Sequence, residues 1–305
     1  MDLKDKTIFI TGNGSFANAM VKYLLGTNVK EIRVFSRNEE KRVASERKYN
    51  DGRLKFILGD IRSYKLLLES LKGCDYCIHT AALKHVFTCE EQPEEAIAIN
   101  VDGSKNVIKA CIENNVEKLV CLSTDKAANA TTTYGATKYM MERIILGIDN
   151  KNTTITMTRY GNVAGSSGSV IPYFKNLREQ GKPLTLTDPS MTRFYIPIEK
   201  AVDSVVYALK NGQHKDLVIY KSKSATVKMI ADCISENQIV TGAVKSEKTD
   251  EALLTERELN HSKEDGDFYI INEDYEYNKK YDTSLTSDNA PRYTMEELKD
   301  LIDNC

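Results

Sequence analysis

The chain has 305 residues, 41% of them apolar and 28% charged, a globular balance with length enough for two lobes around a large core. A formal net charge of −2 excludes a global electrostatic case for nucleic acid or an anionic membrane as partner, and no apolar run is long enough to span a bilayer. The opening MDLKDKTIFI is a charged lead into a strand rather than a secretory signal, and seven scattered cysteines suit a reducing cytoplasm better than a disulfide framework.

In chain order, β-branched runs are expected as strands at 7–11 (TIFIT), 32–36 (IRVFS), 54–59 (LKFILG), 76–80 (YCIHT), 118–123 (KLVCLS) and 154–159 (TITMTR). Amphipathic stretches lie between them, the longest from Ala96 to Glu113. Strand–helix alternation at this spacing implies an α/β fold, a Rossmann-type doubly wound parallel sheet that binds ligands beyond the carboxyl ends of its strands. After residue 163 the pattern loosens. GSSGSVIPYF and GKPLTLTDPSMTRF are turn-rich, IEKAVDSVVYALKNG returns to a helix and DLVIY to a strand. The chain ends on TMEELKDLID, where Thr294 and Glu297 form a capping box. The expected division is a nucleotide-binding domain over 1–163 with a return segment at about 196–222. Residues 164–195 and 223–305 are assigned to a smaller C-terminal substrate lobe.

Motifs fall at the strand ends. Gly12-Asn13-Gly14-Ser15-Phe16-Ala17 has G-x-G-x-x-A spacing: Gly12 permits a tight turn, Gly14 lets backbone approach a phosphate, and a helix starting near Ser15 offers free N–H groups. The second strand ends in Ser36-Arg37 with Lys41 a turn later, where an NAD site would place a carboxylate. A hydroxyl and a guanidinium suit a 2′-phosphate, so NADP is expected, although Arg37 and Lys41 also fit a solvated helix start. Asp60 and Ile61 after the third strand are placed to hold adenine, or Asp60 caps a helix. Tyr134 and Lys138 share one helix face, so that an ammonium beside the phenol would lower its pKa and make Tyr134 a base. Cys74 and Cys77 have C-x-x-C spacing but read as residues of a buried strand. With no second cysteine pair, no metal site is expected.

The Thr-Gly opening of the glycine loop is similar to the T-G-x-x-G-x-x-G pattern of short-chain dehydrogenase/reductases, one residue short. Ser123-Thr124 before Tyr134 and Lys138 completes the likeness, and the chain is identified as a member of the extended branch of that family. STDKAANATTTYGATK, residues 123–138, resembles the inverting UDP-N-acetylglucosamine 4,6-dehydratases of flagellin-glycan and capsule biosynthesis, because Asp125-Lys126 stands where the retaining enzymes carry Asp-Glu. VFSRNEEK, INVDGSKNVIKA, RYGNVAGSSGSVIPYF and LTDPSMTRFYIPIEKAV agree, and the resemblance runs from residue 5 to about 210. VKSEKTDEALLTERE is a degraded form of the family's R-x-G-E-K-x-x-E segment.

The resemblance implies a UDP-sugar substrate, cofactor contacts that include Ala81, Ala82 and Lys84, and a homo-oligomer, dimer or hexamer. Lys84, Asn162 and Val163 would meet the sugar, Thr187, Met191 and Arg193 the uracil and pyrophosphate, and Glu251 the ribose hydroxyls. His85 would be structural or beside the sugar. Thr124, Asp125, Lys126, Tyr134 and Lys138 would be catalytic. Tyr134 takes the 4-hydroxyl proton as hydride leaves C4, and a neutral Lys126 next to Lys138 takes the C5 proton. A protonated Asp125 donates to the departing 6-hydroxyl, and a proton returned to the opposite face inverts C5. A UDP-hexosamine 4-epimerase, which needs no C5 base or C6 acid, is the near alternative. A non-catalytic NADP-binding sensor would be expected to lose Tyr134 or Lys138, and both are present.

Overall fold

The computed structural model describes residues 3–150, 152–242 and 247–305. The charged lead at Met1 and Asp2, and Val244 to Ser246 of the degraded segment, lie outside the described residues. The first half alternates as expected: β1 (Thr7–Thr11), α1 (Ser15–Leu25), β2 (Glu31–Ser36), α2 (Glu39–Tyr49), β3 (Leu54–Leu58), α3 (Tyr64–Ser70) and β4 (Tyr76–His79). Then follow α4 (Val86–Glu91), α5 (Pro93–Ile97), α6 (Ser104–Glu113), β5 (Lys118–Leu122), α7 (Thr133–Leu146) and β6 (Thr154–Arg159). The stretch expected as one helix from Ala96 is interrupted by a π-helical turn over Ala98–Gly103. Its cause is packing: a Cβ on Gly103 would meet Ile61 Cδ1 at 2.6 Å, and Asn100 is fully buried in hydrogen bonds of its own.

The second half carries β7 (Asn162–Val163), α8 (Val170–Glu179), β8 (Leu184–Leu186), β9 (Thr192–Ile196), α9 (Ile198–Asn211), β10 (Leu217–Tyr220), β11 (Lys223–Thr226) and α10 (Val227–Ile234). It ends with β12 (Gln238–Val240), β13 (Ala252–Leu254), α11 (Glu256–Asn260), β14 (Ser262–Asp265), β15 (Phe268–Ile271), β16 (Leu285–Thr286) and α12 (Met295–Asp303). The end of the turn-rich GSSGSVIPYF stretch is thus the start of α8. The Thr294–Glu297 capping box opens α12, with the Thr294 hydroxyl accepting from Glu297 N and the Glu297 carboxylate accepting from Thr294 N.

The main sheet has the order β14-β15-β10-β6-β5-β4-β1-β2-β3. From β3 to β10 all pairings are parallel, while β15 pairs antiparallel with β10 and with β14. The β14–β15 hairpin therefore extends the nucleotide-binding sheet, although residues 223–305 were assigned as a whole to the smaller lobe. Its alternating Phe268 and Ile270 pack where a sequence reading saw only polar, tyrosine-rich chain. Alternate residues of each strand feed opposite faces: Phe9 joins one core with Phe35, Leu119 and Met157, while Ile8 and Ile10 join the other with Met20, Val120 and Val218. A third core, of Phe174, Leu184, Leu186, Tyr195, Ile230, Leu298 and Ile302, holds α8, α10 and α12 against the short sheets. The strand order reverses between β1 and β4, which sets the ligand crevice at their carboxyl ends.

Candidate active site

The crevice is a cleft of about 610 Å³ lined by residues from the ends of β1 to β6. Gly12 sits at φ +90°, and a Cβ on it would lie 2.8 Å from Thr80 Oγ1, so the turn out of β1 admits only glycine without rearrangement. Gly14 is the N-cap of α1 with no side-chain cap, and a Cβ there would meet nothing within 4 Å. The first amides of α1 therefore face open space, which fits a dinucleotide pyrophosphate. Asn13 is buried and spends its amide on Ser45 at 3.4 Å and Asn18 at 3.1 Å, and Phe16 stacks on Tyr160 with ring centroids 6.2 Å apart. Ser36, Arg37 and Lys41 line one end of the cleft, as do Asp60, Ile61, Ala81 and Ala82. Arg37 approaches Asp60 at 3.5 Å but stays half exposed. The Asp60 carboxylate accepts from Arg62 N at 2.9 Å and from its guanidinium at 2.6 Å in a local turn; it does not cap a helix, since the N-cap of α3 is Ser63.

Lys84, Asn162 and Val163 line the same cleft. The segment after β7 folds back as a strap over the glycine loop: Ser167 N donates to Ser15 Oγ at 3.0 Å, and Lys84 Nζ donates to Ser167 O at 2.7 Å. Gly168, at φ +75°, lies against His85, whose Cε1 would be 2.5 Å from a Cβ. Sequence reading missed this strap, and its signal was the paired glycines of AGSSGS. Buried Asn100 accepts from Leu83 N at 2.8 Å and donates to Thr137 Oγ1 at 3.0 Å, which ties the loop carrying Lys84 to the helix carrying Lys138.

Thr124, Lys126, Tyr134 and Lys138 all line the cleft. Thr124 caps a 3₁₀ turn, Asp125–Ala127, and its hydroxyl donates to Asp125 Oδ1 at 3.0 Å. Lys126 Nζ lies 3.2 Å from Asp125 Oδ1 and 3.2 Å from Glu251 Oε1. Burial opposes the Lys126 charge, but Asp125 and then Glu251 outweigh it and hold the ammonium above the ordinary lysine range. In place of the expected neutral Lys126 beside Lys138, the ammonium meets a second carboxylate, Glu251, from just before β13 and far along the chain. Burial pushes the Tyr134 phenol up to about 12, against the pull of Lys126 and Thr124. Lys126 thus bears on the phenol, where the helix spacing pointed to Lys138. Lys138 instead points its ammonium at Met141 Sδ, 3.4 Å away, and burial takes it down to about 8.

Thr187, Met191 and Arg193, expected at the uracil and pyrophosphate, are not among the residues that line this cleft. Thr187 and Met191 face each other at 3.7 Å. Arg193 gives its guanidinium to Thr192 O at 2.7 Å, Thr249 O at 2.9 Å and Lys248 O at 2.9 Å, which satisfies the fork within the protein. Glu251 likewise meets Lys126 in place of the cleft. Behind the site, buried Arg159 bonds Glu142 Oε2 at 2.6 Å, Glu258 Oε1 at 2.9 Å and Leu253 O at 3.0 Å, while Ser123 Oγ donates to Glu142 Oε1 at 2.5 Å. This network, hinted at only by Glu142 lying one turn after Lys138, braces β5, α7, α11 and β13 together. Cys74 and Cys77 are buried structural thiols, and burial pushes Cys74 up to about 12. Among the described residues no group of His, Cys, Asp or Glu could hold a metal ion, and no helix is long and apolar enough to cross a membrane.

A doubly wound parallel sheet with Thr124, Tyr134 and Lys138 at its ligand edge defines an extended short-chain dehydrogenase/reductase. Residues 8–273 match the family described as polysaccharide biosynthesis protein, and the chain belongs to that family of nucleotide-sugar dehydratases and epimerases. It is 39% identical to a UDP-glucose 4-epimerase of Rickettsia conorii, across 98% of this chain and 95% of that one. The X-ray structure of Pen from Bacillus thuringiensis superposes with a TM-score of 0.94 at 33% identity, over 100% of this chain and 99% of that chain. A dTDP-glucose 4,6-dehydratase of Streptomyces venezuelae, DesIV, with NAD and TYD bound, shares the fold at a TM-score of 0.72 and 20% identity. That match covers 80% of this chain and 86% of that one.

Proposed function

We propose that the protein is an NADP-dependent UDP-N-acetylglucosamine 4,6-dehydratase that inverts C5. The observation that carries the reading is Lys126 lining the cleft with Tyr134 while its ammonium rests on Asp125. When bound, the nicotinamide accepts hydride from sugar C4 and gives it back at C6, so it is unchanged over a turnover. The cradle at Gly12 and Gly14 would hold its pyrophosphate, and Ser36, Arg37 and Lys41 a 2′-phosphate.

The protein's own groups move the protons. Tyr134, whose phenol the positive charge of a bound oxidised nicotinamide would help to ionise, accepts the proton of the 4-hydroxyl as the ketone forms, and the ketone acidifies C5–H. Lys126 passes its proton across the 3.2 Å contact to Asp125, which leaves a neutral amine and a carboxylic acid side by side. The amine takes the C5 proton, the acid protonates the departing 6-hydroxyl, and water leaves. A solvent proton delivered to C5 on the face opposite Lys126 inverts that carbon. Over these steps solvent supplies one proton and Tyr134 keeps one, which it must release before the next turnover. The Thr124 hydroxyl, which bonds Asp125 and faces the phenol, is placed to relay it onward.

The names of the Rickettsia relatives favour a second reading, a UDP-sugar 4-epimerase, which returns hydride to C4 and leaves C5 and C6 untouched. Incubation with UDP-N-acetylglucosamine in D2O separates the two: a new 6-methyl signal with deuterium at C5 is expected by NMR. A 4-epimer that keeps its 6-hydroxyl and C5 hydrogen would overturn the dehydratase reading. Replacing Arg37 with alanine is expected to weaken NADP at least about tenfold, the loss of one charge-assisted phosphate contact, with NAD affinity unchanged in titration calorimetry. Equal losses for both cofactors would remove Arg37 from 2′-phosphate recognition. The unpaired thiols suit cytoplasmic work, and exposed Phe87, Ile97, Tyr139 and Met140 on neighbouring helices support self-association.

A further inference from the structure

The segment 247–251 is held by more bonds than a surface loop needs. Arg193 grips the carbonyls of Lys248 and Thr249, and Thr192 Oγ1 donates to Asp250 at 2.5 Å. Lys248 Nζ donates to Asn129 O at 2.6 Å, just beyond the 3₁₀ turn that bears Lys126. Glu251 itself is 4% exposed, and its backbone N–H donates to buried Ser287 at 2.9 Å. Every one of these bonds fixes where the Glu251 carboxylate lies, and it lies on Lys126. One oxygen meets Nζ at 3.2 Å, and the other has no hydrogen-bond partner among the described residues, with Lys248 Nζ 3.8 Å away. The cleft-side occupant of that arrangement is the ammonium, not a ligand hydroxyl.

We infer that Glu251 is a positioning residue for Lys126: it keeps the ammonium charged and pinned at the cleft wall between turnovers. The inference deepens the dehydratase reading and rests on it for its meaning in catalysis, since a charged Lys126 is the form that hands Asp125 the proton spent on the departing 6-hydroxyl. An isolated Asp125–Lys126 pair would divide one proton between neighbours. A second buried carboxylate biases that proton to the amine, so the acid–base pair forms only while elimination proceeds. The other ionisable groups bearing on Lys126 are Arg193 from β9, which opposes its charge, Tyr134 from α7 and Tyr195 from β9. Glu247, 3.7 Å from Arg193, and Lys248 complete the charged surroundings.

The test titrates Lys126 directly and needs no turnover. Pulse acetylation of the full-length protein with acetic anhydride across a pH series, read by peptide mass spectrometry, reports the fraction of each lysine present as free amine. Glu251→Gln keeps the shape and removes the charge. It is expected to move the Lys126 midpoint down by at least about one pH unit, seen as about tenfold faster labelling below the wild-type midpoint. Glu251→Asp, shorter but still anionic, is expected to move it less. Lys84, elsewhere in the same cleft, is the internal control and should label alike in all three proteins. An unshifted Lys126 midpoint in Glu251→Gln with Lys84 unchanged would overturn the inference. If that variant fails to fold, an Asp variant whose Lys126 midpoint falls measurably supports it, and an unshifted one overturns it. The D2O assay fails separately: lack of C5 deuterium in the wild type would defeat the dehydratase reading and leave the labelling result standing.

Discussion

Lys126→Arg is expected to fold normally and to lose turnover by about 10²- to 10⁴-fold, the range that a positioned proton-transfer group contributes. Arginine keeps a positive charge between Asp125 and Glu251, so the buried carboxylates stay compensated. It cannot give up its proton, and the step that converts the ion pair into an amine and an acid is closed. Lys126→Ala is expected to lose turnover as well, with cofactor binding retained because the glycine loop and the ends of β2 and β3 are untouched. It differs from the arginine variant in stability. Asp125 and Glu251 are both buried, and stripping their common cation should cost about 3–5 kcal/mol, the usual penalty for breaking a buried pair. Single-turnover assays with cofactor titration and urea unfolding measure these outcomes. Turnover unchanged in Lys126→Arg would remove Lys126 from proton transfer altogether.

The largest effect on stability is expected at Arg159→Met. Arg159 is 1% exposed and is the shared counter-ion of Glu142, itself buried, and of Glu258. Burial opposes the Arg159 charge, but Glu142 and then Glu258 outweigh it and hold the guanidinium protonated. Methionine fills much of the volume and leaves two carboxylates and the Leu253 carbonyl without their donor, a loss of about 3–5 kcal/mol. The unfolding midpoint in urea should fall accordingly, with the slope unchanged. The change should also reach the site, because Ser123, next to Thr124, hangs on Glu142, and β13, which follows Glu251, hangs on Arg159. A midpoint within error of wild type would show that the network is solvated and does not brace these elements.

Much of the molecule was legible from short-range pattern. Strand runs such as TIFIT, the Gly12–Gly14 turn, the Tyr134–Lys138 face and the Thr294–Glu297 cap each depend on residues within about one or two turns of each other. Elements that depend on partners farther off were read less well. The π-helical turn at Ala98–Gly103 follows from the contact of Gly103 with Ile61, and the β14–β15 hairpin from its pairing with β10. Arg193 looked like a phosphate ligand by residue type, but its donors are consumed by carbonyls of the 248–249 segment.

By itself, then, the sequence determined the parallel sheet, the crevice at its strand ends and several of the residues that line it, Thr124, Lys126, Tyr134 and Lys138 among them, since periodicity and turn chemistry are local properties of the chain. Only the tertiary structure decided what those residues are able to do. Lys126 is placed between Asp125 and Glu251, the site's wall is braced by Arg159 and Glu258, and the glycine loop is covered by Ser167. An ionisable side chain takes its protonation and role from the charges that folding brings within a few ångströms, and no local spacing in the chain encodes that distance.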